Sequence, residues 1–484
     1  MAHNFDLRGA AHNAMVTNGF EPDFPPAVIA EAQHAANPAT PPTANIQDLR
    51  ALPWSSIDND TSVDLDQLEV AERLPNGDIR VRVAIADVAG TVAMGSAIDK
   101  HAALNSTSVY TGIVTFPMLP ERLSTQLTSL GENNDRPVIV IEFSVTKTGE
   151  TSSHNVYLAY AKNKSKLAYG NVGDWLDGTG SLPSSATQEI QDQIRLQDET
   201  AQLIRADRIK RGALNFETIE AEPVVGADNS ISIELVRKTR ASHLIEDFMV
   251  AANVVMAGFL DEQKSASIRR VVKTPARWDR IVELAAKVGE KLPDIPDSPS
   301  LGAFLTKRHA ADPVHFADLS LAVVKLLGPG EYEMHEPGAP EEGHFGLAAH
   351  YYTHSTAPNR RYIDLVTQRL LKAVLNKQPA PYSPQELSDI AAHCTERENA
   401  ARKVERLVRK ESAAASMSGR VGDTFDAIVT GVTPQGTYVR VTNPPVEGRV
   451  MRGEEGLDVG DRLKVKLTST DASRGFIDFA GVKG

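Results

Sequence analysis

The spacing of apolar residues along the chain changes several times, and each change marks a different kind of element. Between 46 and 160 apolar and polar residues alternate in short runs. Ile79 to Val88 and Val138 to Val145 read there as strands, because neighbouring side chains on a strand point to opposite faces. Over 242–260 the apolar positions Ile245, Phe248, Met249, Ala252 and Met256 recur at helical spacing and predict a helix with one face on a core. Ser383-Pro-Gln-Glu386 is a capping box with proline at the first helical position, and it starts a long helix reaching to about Ala415. From 418 onward alternation returns. Val421 to Val441 gives two strands around a turn, and Val446–Met451 and Gly460–Leu467 follow. Ahead of all this, Leu7 to Phe20 and Pro26 to Ala35 predict two short helices, and the proline-rich run Ala36 to Ala44 reads as a stiff linker. The fold class is therefore α+β, in three parts: 1–45, 46–417 and 418–484.

Composition narrows this picture. At 484 residues, two to four domains are expected. No run approaches eighteen consecutive apolar residues, and the N-terminus has no basic region followed by an apolar one, so neither a membrane span nor a signal peptide is expected. The one cysteine, Cys394, has no partner for an internal disulfide, and a cytoplasmic setting follows as the expectation. The net charge of −12 argues against a general nucleic-acid coat but leaves room for a basic channel inside an acidic shell.

The candidate chemistry lies in Ser56-Ile-Asp-Asn-Asp-Thr-Ser-Val-Asp-Leu-Asp-Gln67, which sets Asp58, Asp60, Asp64 and Asp66 within nine residues. Leu52, Trp54 and Ile57 precede it, so the run is expected to leave the core at the end of a strand. In an extended backbone Asp64 and Asp66 share a side, and Asp58 can fold back to meet them. Three converging carboxylates repel one another and call for a cation, and hard oxygen donors without His or Cys select Mg²⁺ or Mn²⁺. The same residues also read as a solvated Asp/Asn turn. His344, His350 and His354, spaced by six and four, have no cysteine beside them, and a zinc site there is disfavoured.

The run Asp48-Leu-Arg-Ala-Leu-Pro-Trp-Ser-Ser-Ile-Asp58, followed by Val-Asp-Leu-Asp66, resembles the acidic motif of the RNB domain, the catalytic domain of the RNase II and RNase R exoribonucleases. The resemblance continues to the C-terminus. It includes Ser108 to Ser124 with Pro-Met-Leu-Pro, Lys164 to Trp175, Arg211 to Phe216, and Thr356-Ala-Pro-Asn-Arg360-Arg361-Tyr362. Residues 418–484 look like an S1 domain, a five-stranded OB-type barrel that binds single strands.

The resemblance implies a metal-dependent exoribonuclease that works from the 3′ end of single-stranded RNA and releases nucleoside 5′-monophosphates. It assigns the catalytic roles to Asp66, Arg360, Asp64 and Glu405, with Arg360 on the scissile phosphate. Asp58, Asp64, Asp66 and Gln67 fall at the metal-binding positions. Tyr110, Tyr169 and Phe216 match aromatics that clamp bases, and Glu246 matches a contact to a ribose hydroxyl. Tyr438 is the stacking candidate of the barrel, and a place in the barrel core fits it as well. Glu246 and Asn253 also read as a solvated helix face, and Glu405 between Arg402 and Arg409 also reads as an ordinary ion network.

Three departures stand out. Gln67 replaces the motif's fourth acid and brings an oxygen without charge, which lowers metal affinity; the additional Asp60 is a candidate to compensate. Ala357 and Asn359 replace a usual serine and a usual apolar residue. The Gln67 departure supports a rival reading, a catalytically silent RNA-binding protein on an RNB scaffold. Residues 1–45 read either as a helix-turn-helix-like contact or as a helical decoration packed on the main unit, with no room for the cold-shock-type barrels of relatives. With no lysine-rich tail, the expectation is RNase II-like behaviour, a monomer that stalls on stable stems and leaves a short overhang.

Overall fold

The computed structural model describes residues 5–36, 46–217, 220–226, 231–236, 238–313, 316–340 and 343–482. Its centre is a seven-stranded sheet in the order Gln47–Asp48, Thr151–Lys162, Asp135–Val145, Ile79–Ala86, Gln67–Arg73, Ser55–Asp58 and Ser165–Ala168. The two predicted strands are present. One stops at Ala86, where Val88–Gly90 turns away, and the other begins earlier, at Asp135. Alternation gives the sheet two apolar faces. Leu68, Val70, Ala84, Val138 and Val140 pack with Leu365, Val366 and Leu370 of the helix Tyr362–Leu375. On the other face, Ala71, Val81, Val83, Ile141 and Phe143 are covered by the helices Gln188–Lys210 and Arg240–Glu262.

Arg240–Glu262 is long and apolar enough by composition to cross a membrane, but most of it is buried between sheet and helices, which makes it a core helix. The stripe Ile245, Phe248, Ala252 and Met256 is buried as its spacing predicts, with Met249 at the margin. The capping box at Ser383 and Glu386 is formed in both directions, and the helix it starts runs Pro384–Met417. Cys394 lies buried and free in that helix.

The two N-terminal helices, Leu7–Thr17 and Pro26–His34, pack onto the main unit. Leu7, Ala11, Ala14 and Met15 join Ala401, Val404 and Val408 of the long helix, and Val28 and Ala32 enter the main core. The two helices are therefore packed on the main unit, as the decoration reading expects. The proline-rich linker reading falls on 37–45, outside the described residues.

Behind the long helix a closed barrel runs in the order Thr424–Thr433, Gly436–Val441, Glu447–Arg452, Phe476–Gly481, Arg462–Asp471. Phe425, Val429, Val439, Val450, Leu467 and Phe479 fill it, and Ala414 and Met417 extend its core into the helix end. A smaller apolar cluster of Trp278, Ile281, Leu301, Phe304 and Phe316 joins the helices between 278 and 327.

Candidate active site

The strand Ser55–Asp58 ends on its acid, as expected. Asp58 Oδ1 accepts the Asn59 backbone N–H at 2.7 Å and the Ser62 hydroxyl at 3.0 Å, which closes the turn. Asp60 is exposed in that turn. Leu65 is buried in the main core, and Asp64 and Asp66 flank it. Asp64 is half-buried, and its Oδ2 accepts the Tyr110 hydroxyl at 3.3 Å. Asp66 is 4% exposed, and its Oδ1 accepts the Asn359 backbone N–H at 3.0 Å. Burial pushes the Asp66 carboxyl up to about 8, against the pull of the nearby Arg360 guanidinium. Burial raises Asp64 as well, with the Asp58 charge adding to it. The three acids are thus electrostatic neighbours in series, Asp58 to Asp64 to Asp66. Their expected convergence is met only in part: among the described residues no three His, Cys, Asp or Glu side chains are close enough to ligate one ion.

The arginine turn is laid over the acids from 294 residues away. Asp364, fully buried, accepts two hydrogen bonds from the Arg361 guanidinium, both 2.8 Å, and the Ala357 N–H at 2.7 Å. That commits Arg361 to holding the turn. Arg360 is exposed, with its carbonyl accepting the Ser108 N–H at 2.9 Å, and among the described residues its guanidinium has no ion pair. Asn359 links the two halves of the site. Its backbone N–H serves Asp66, its Oδ1 accepts the Thr128 hydroxyl at 2.5 Å, and its Nδ2 is buried without a partner among the described residues. Composition and spacing give no hint of the Asn359 bond, because the donor is a main-chain group.

Tyr110 stands at the rim, 41% exposed, and its backbone N–H donates to Glu405 Oε1 at 3.3 Å. Asp64, Tyr110 and Glu405 are therefore brought together. The predicted Glu405–Arg402 link is replaced by one to Glu398, which Arg402 bonds and which also receives both terminal nitrogens of Arg270. Tyr169 opens a helix beside the acid strand, where burial and the Asp58 and Glu69 charges raise its hydroxyl.

Phe216 is half-buried against the smaller cluster around Trp278. Glu246 lies at 2.7 Å from the Lys238 ammonium. Burial opposes its charge, but His243 and Lys238 outweigh that and hold it at about 2. Asn253, read as part of a solvated face, is buried. Its Oδ1 accepts the Ser355 N–H and hydroxyl, both at 2.9 Å, so it brackets the loop that carries the arginines. The three histidines separate: His354 Nδ1 meets the Tyr332 hydroxyl at 2.8 Å, His344 Nδ1 accepts the Leu347 N–H, and His350 is exposed. In the barrel, Thr437, Val439 and Val441 point inward, so Tyr438 points out of it beside Arg440, and the core reading of Tyr438 fails.

An acid turn at the end of a mixed sheet, an arginine turn closing over it and a barrel packed behind define the class, an RNB-type unit followed by an S1-type barrel. The RNB domain matches residues 46–377, and the RNase II-type exonuclease C-terminal S1 domain matches 423–482. The chain belongs to the RNB family, with RNase II and RNase R. Ribonuclease R of Thermotoga maritima is 30% identical over 502 residues, covering 95% of this chain and 68% of that protein. Ribonuclease R of Vibrio cholerae is 32% identical over 420 residues, covering 83% of this chain and 50% of that protein. Among solved structures, Mycoplasma genitalium RNase R in complex with ribose methylated single-stranded RNA matches with a TM-score of 0.88 and 26% identity, over 99% of this chain and 78% of that one. The chain spans between half and about two thirds of the length of these curated relatives.

Proposed function

We propose that the chain is a 3′-to-5′ exoribonuclease that hydrolyses single-stranded RNA one nucleotide at a time. Water adds to the last phosphorus, the bond to the 3′ oxygen of the preceding nucleotide breaks, and a nucleoside 5′-monophosphate leaves. The observation that carries this reading is the junction of Asp66, Asn359 and Arg360. One main-chain bond holds the buried acid against the turn that presents Arg360.

The donor set suits a hard divalent ion, Mg²⁺ or Mn²⁺. It is made of oxygens only, and near it lies a buried carboxylate, Glu69, whose two oxygens have no partner among the described residues. Asp58, Asp64 and Asp66, with the amide oxygen of Gln67, are the residues that would hold it, and their side chains would have to draw closer together than they stand here. When bound, such an ion would stabilise the charge that develops on the attacking and leaving oxygens. Arg360 supplies a planar fork for two phosphate oxygens. Glu405 and Asp64 hold Tyr110 at the rim, where its ring can stack on a base. Tyr169 and Phe216 complete the base contacts, and Glu246 accepts from a 2′-hydroxyl once Lys238 yields. Tyr438 adds a stacking contact from the outer barrel wall.

The test uses 5′-labelled RNA and DNA of one sequence with Mg²⁺, Mn²⁺ or EDTA. Stepwise shortening of RNA alone, abolished by EDTA, is expected. Equal digestion of DNA, or cleavage in EDTA, overturns the reading. RNA binding without cleavage under every condition would establish the silent scaffold, which Gln67 favours.

A further inference from the structure

We propose that Glu69 is the displaced fourth acid of this site, taking with Asp58 the charged metal-ligand role that Gln67 cannot fill. The proposal rests on the metal-dependent reading above.

Glu69 is 0% exposed, and neither carboxylate oxygen has a hydrogen-bond partner among the described residues. An ionised carboxylate buried in that way is costly unless something pairs with it. Its setting gives no packing reason for an acid. Among the residues that share its face of the sheet, Ala71, Val83 and Ile85 are apolar and buried.

Its position ties it to the acid turn. Glu69 lies two residues past Gln67 on the same strand and therefore on the same face. It pairs directly with Ser55, on the strand that ends at Asp58. Its carboxylate is within electrostatic reach of Asp58, and both are within reach of the Tyr169 hydroxyl. Asp60, the other candidate to compensate for Gln67, is exposed in the turn.

The surroundings supply further oxygens and, among the described residues, no cation paired with Glu69. Ser55 Oγ and Gln197 Oε1 are also buried without partners among the described residues. The Gln197 Nε2 is committed to the Glu69 carbonyl at 3.4 Å, which places that helix residue against the same spot. Two carboxylate oxygens, a hydroxyl and an amide oxygen thus crowd one buried region, beside a second carboxylate and with no Lys, Arg or His ion pair on Glu69 among the described residues. Oxygen-only donors with net negative charge are what a hard divalent ion takes.

The experiment uses the full chain stripped with EDTA and Mn²⁺ alone as the probe. Affinity is read by electron paramagnetic resonance, and the Mn²⁺-induced rise in Tm is read in parallel. Glu69→Gln is expected to weaken Mn²⁺ binding tenfold or more and to lose most of the Tm rise. RNA binding in EDTA should stay unchanged, which also shows that the variant folds. Adding Gln67→Asp to Glu69→Gln is expected to restore affinity.

In the parent chain Gln67→Asp alone is expected to change Mn²⁺ affinity less than threefold, because the charge is already supplied. That variant is informative even if Glu69→Gln does not fold. Tenfold tightening by Gln67→Asp alone would show position 67 to be the unfilled ligand and overturn the proposal. So would wild-type Mn²⁺ affinity in Glu69→Gln, which would make Glu69 a buried neutral acid. In both of those cases weakened Mn²⁺ binding by Asp58→Asn and Asp66→Asn would leave the nuclease reading standing. If those two variants also bound Mn²⁺ like the parent, the metal-dependent reading would fall together with the proposal.

Discussion

The acid site and the C-terminal barrel are built on opposite plans. The site is made of groups far apart in the chain: Asn359 donates to Asp66 across 293 positions, and Gln368 holds Ala86 and Ala89 across 282 and 279. The barrel closes on strands from one stretch of about sixty residues and presents its candidate contacts, Tyr438 and Arg449, on adjacent outward positions. Long-range assembly fixes a few groups in one geometry and suits bond breaking. A locally closed barrel with an outward face suits holding a strand. Changes in the first region should therefore act on kcat, and changes in the second on Kd.

The largest expected effect tests that division directly. Asp66→Asn should lower kcat by on the order of 10³-fold or more, since it removes the acid at the buried end of the series, the group that would become an anionic oxygen donor when an ion binds. Single-stranded RNA should bind it in EDTA as tightly as the parent, measured by fluorescence anisotropy. Equal losses in kcat and affinity would mean that the two regions are not separable. Next comes Arg360→Lys, with an expected loss of about 10²-fold in kcat/KM, because an ammonium cannot present the two-pronged donor. Arg361→Lys should behave differently. It breaks the two bonds to the buried Asp364, so it should lower Tm first and kcat only through the fold.

The sequence made some of this legible and hid the rest for physical reasons. The acid turn, the capping box, the helix stripe and the barrel alternation are short-range patterns, and each appears where its spacing places it. What was hidden depends on partners remote in sequence. Asn253 looked like half of a polar helix face, and only the loop at 355 reveals that it is buried. Asn359 acts through its backbone, which carries no residue signature. Arg402 had two acidic neighbours at helical spacing, and the geometry gave it to Glu398. Glu69 sits in a run, Gln-Leu-Glu-Val, that alternates like any half-exposed strand, whereas both faces of this sheet are covered. An alternating polar residue therefore cannot be placed without knowing what lies over the sheet.

Acid should separate the two regions by stability. Burial, with the Arg270 guanidinium next, holds the His344 imidazole down at about 4 from its ordinary 6.5, and His354 is pushed down for the same first reason. The unfolded chain binds protons there below pH 6.5 and the folded chain does not, so stability is full above that pH and falls as pH drops from 6.5 towards 4. Allowing for partial exposure, His344 contributes about 2 kcal/mol to this slope. Trp54, Trp175 and Trp278 all lie ahead of the barrel, so tryptophan fluorescence follows the catalytic unit alone. Asp66 and Asp64, raised by burial, act in the opposite direction over the same window, so the His344 contribution is read as the difference in urea midpoint between the parent and His344→Gln. The parent midpoint should fall relative to that of His344→Gln as pH drops from 6.5 towards 4, and a difference that does not change with pH would show His344 to be solvated.

The smallest expected effect belongs to the barrel. Tyr438 stands outward between the buried Thr437 and Val439, directly across from Arg449 on the next strand. Neighbouring Arg440 is taken by Asp318 at 2.8 Å, which leaves Tyr438 and Arg449 as the pair facing a ligand on this strip. A ring stacked on one base contributes about 1 kcal/mol at the low end of the usual range, so Tyr438→Ala should weaken RNA binding by about fivefold. Stacking moves no counterions, so the slope of log Kd against log salt should not change. Arg449→Ala should instead reduce that slope by about one phosphate contact. Neither should alter kcat at saturating RNA or Mn²⁺ affinity in its absence. A fall in kcat on Tyr438→Ala would mean that the barrel helps to set the 3′ end at the acids, and the division between the two regions would have to be redrawn there.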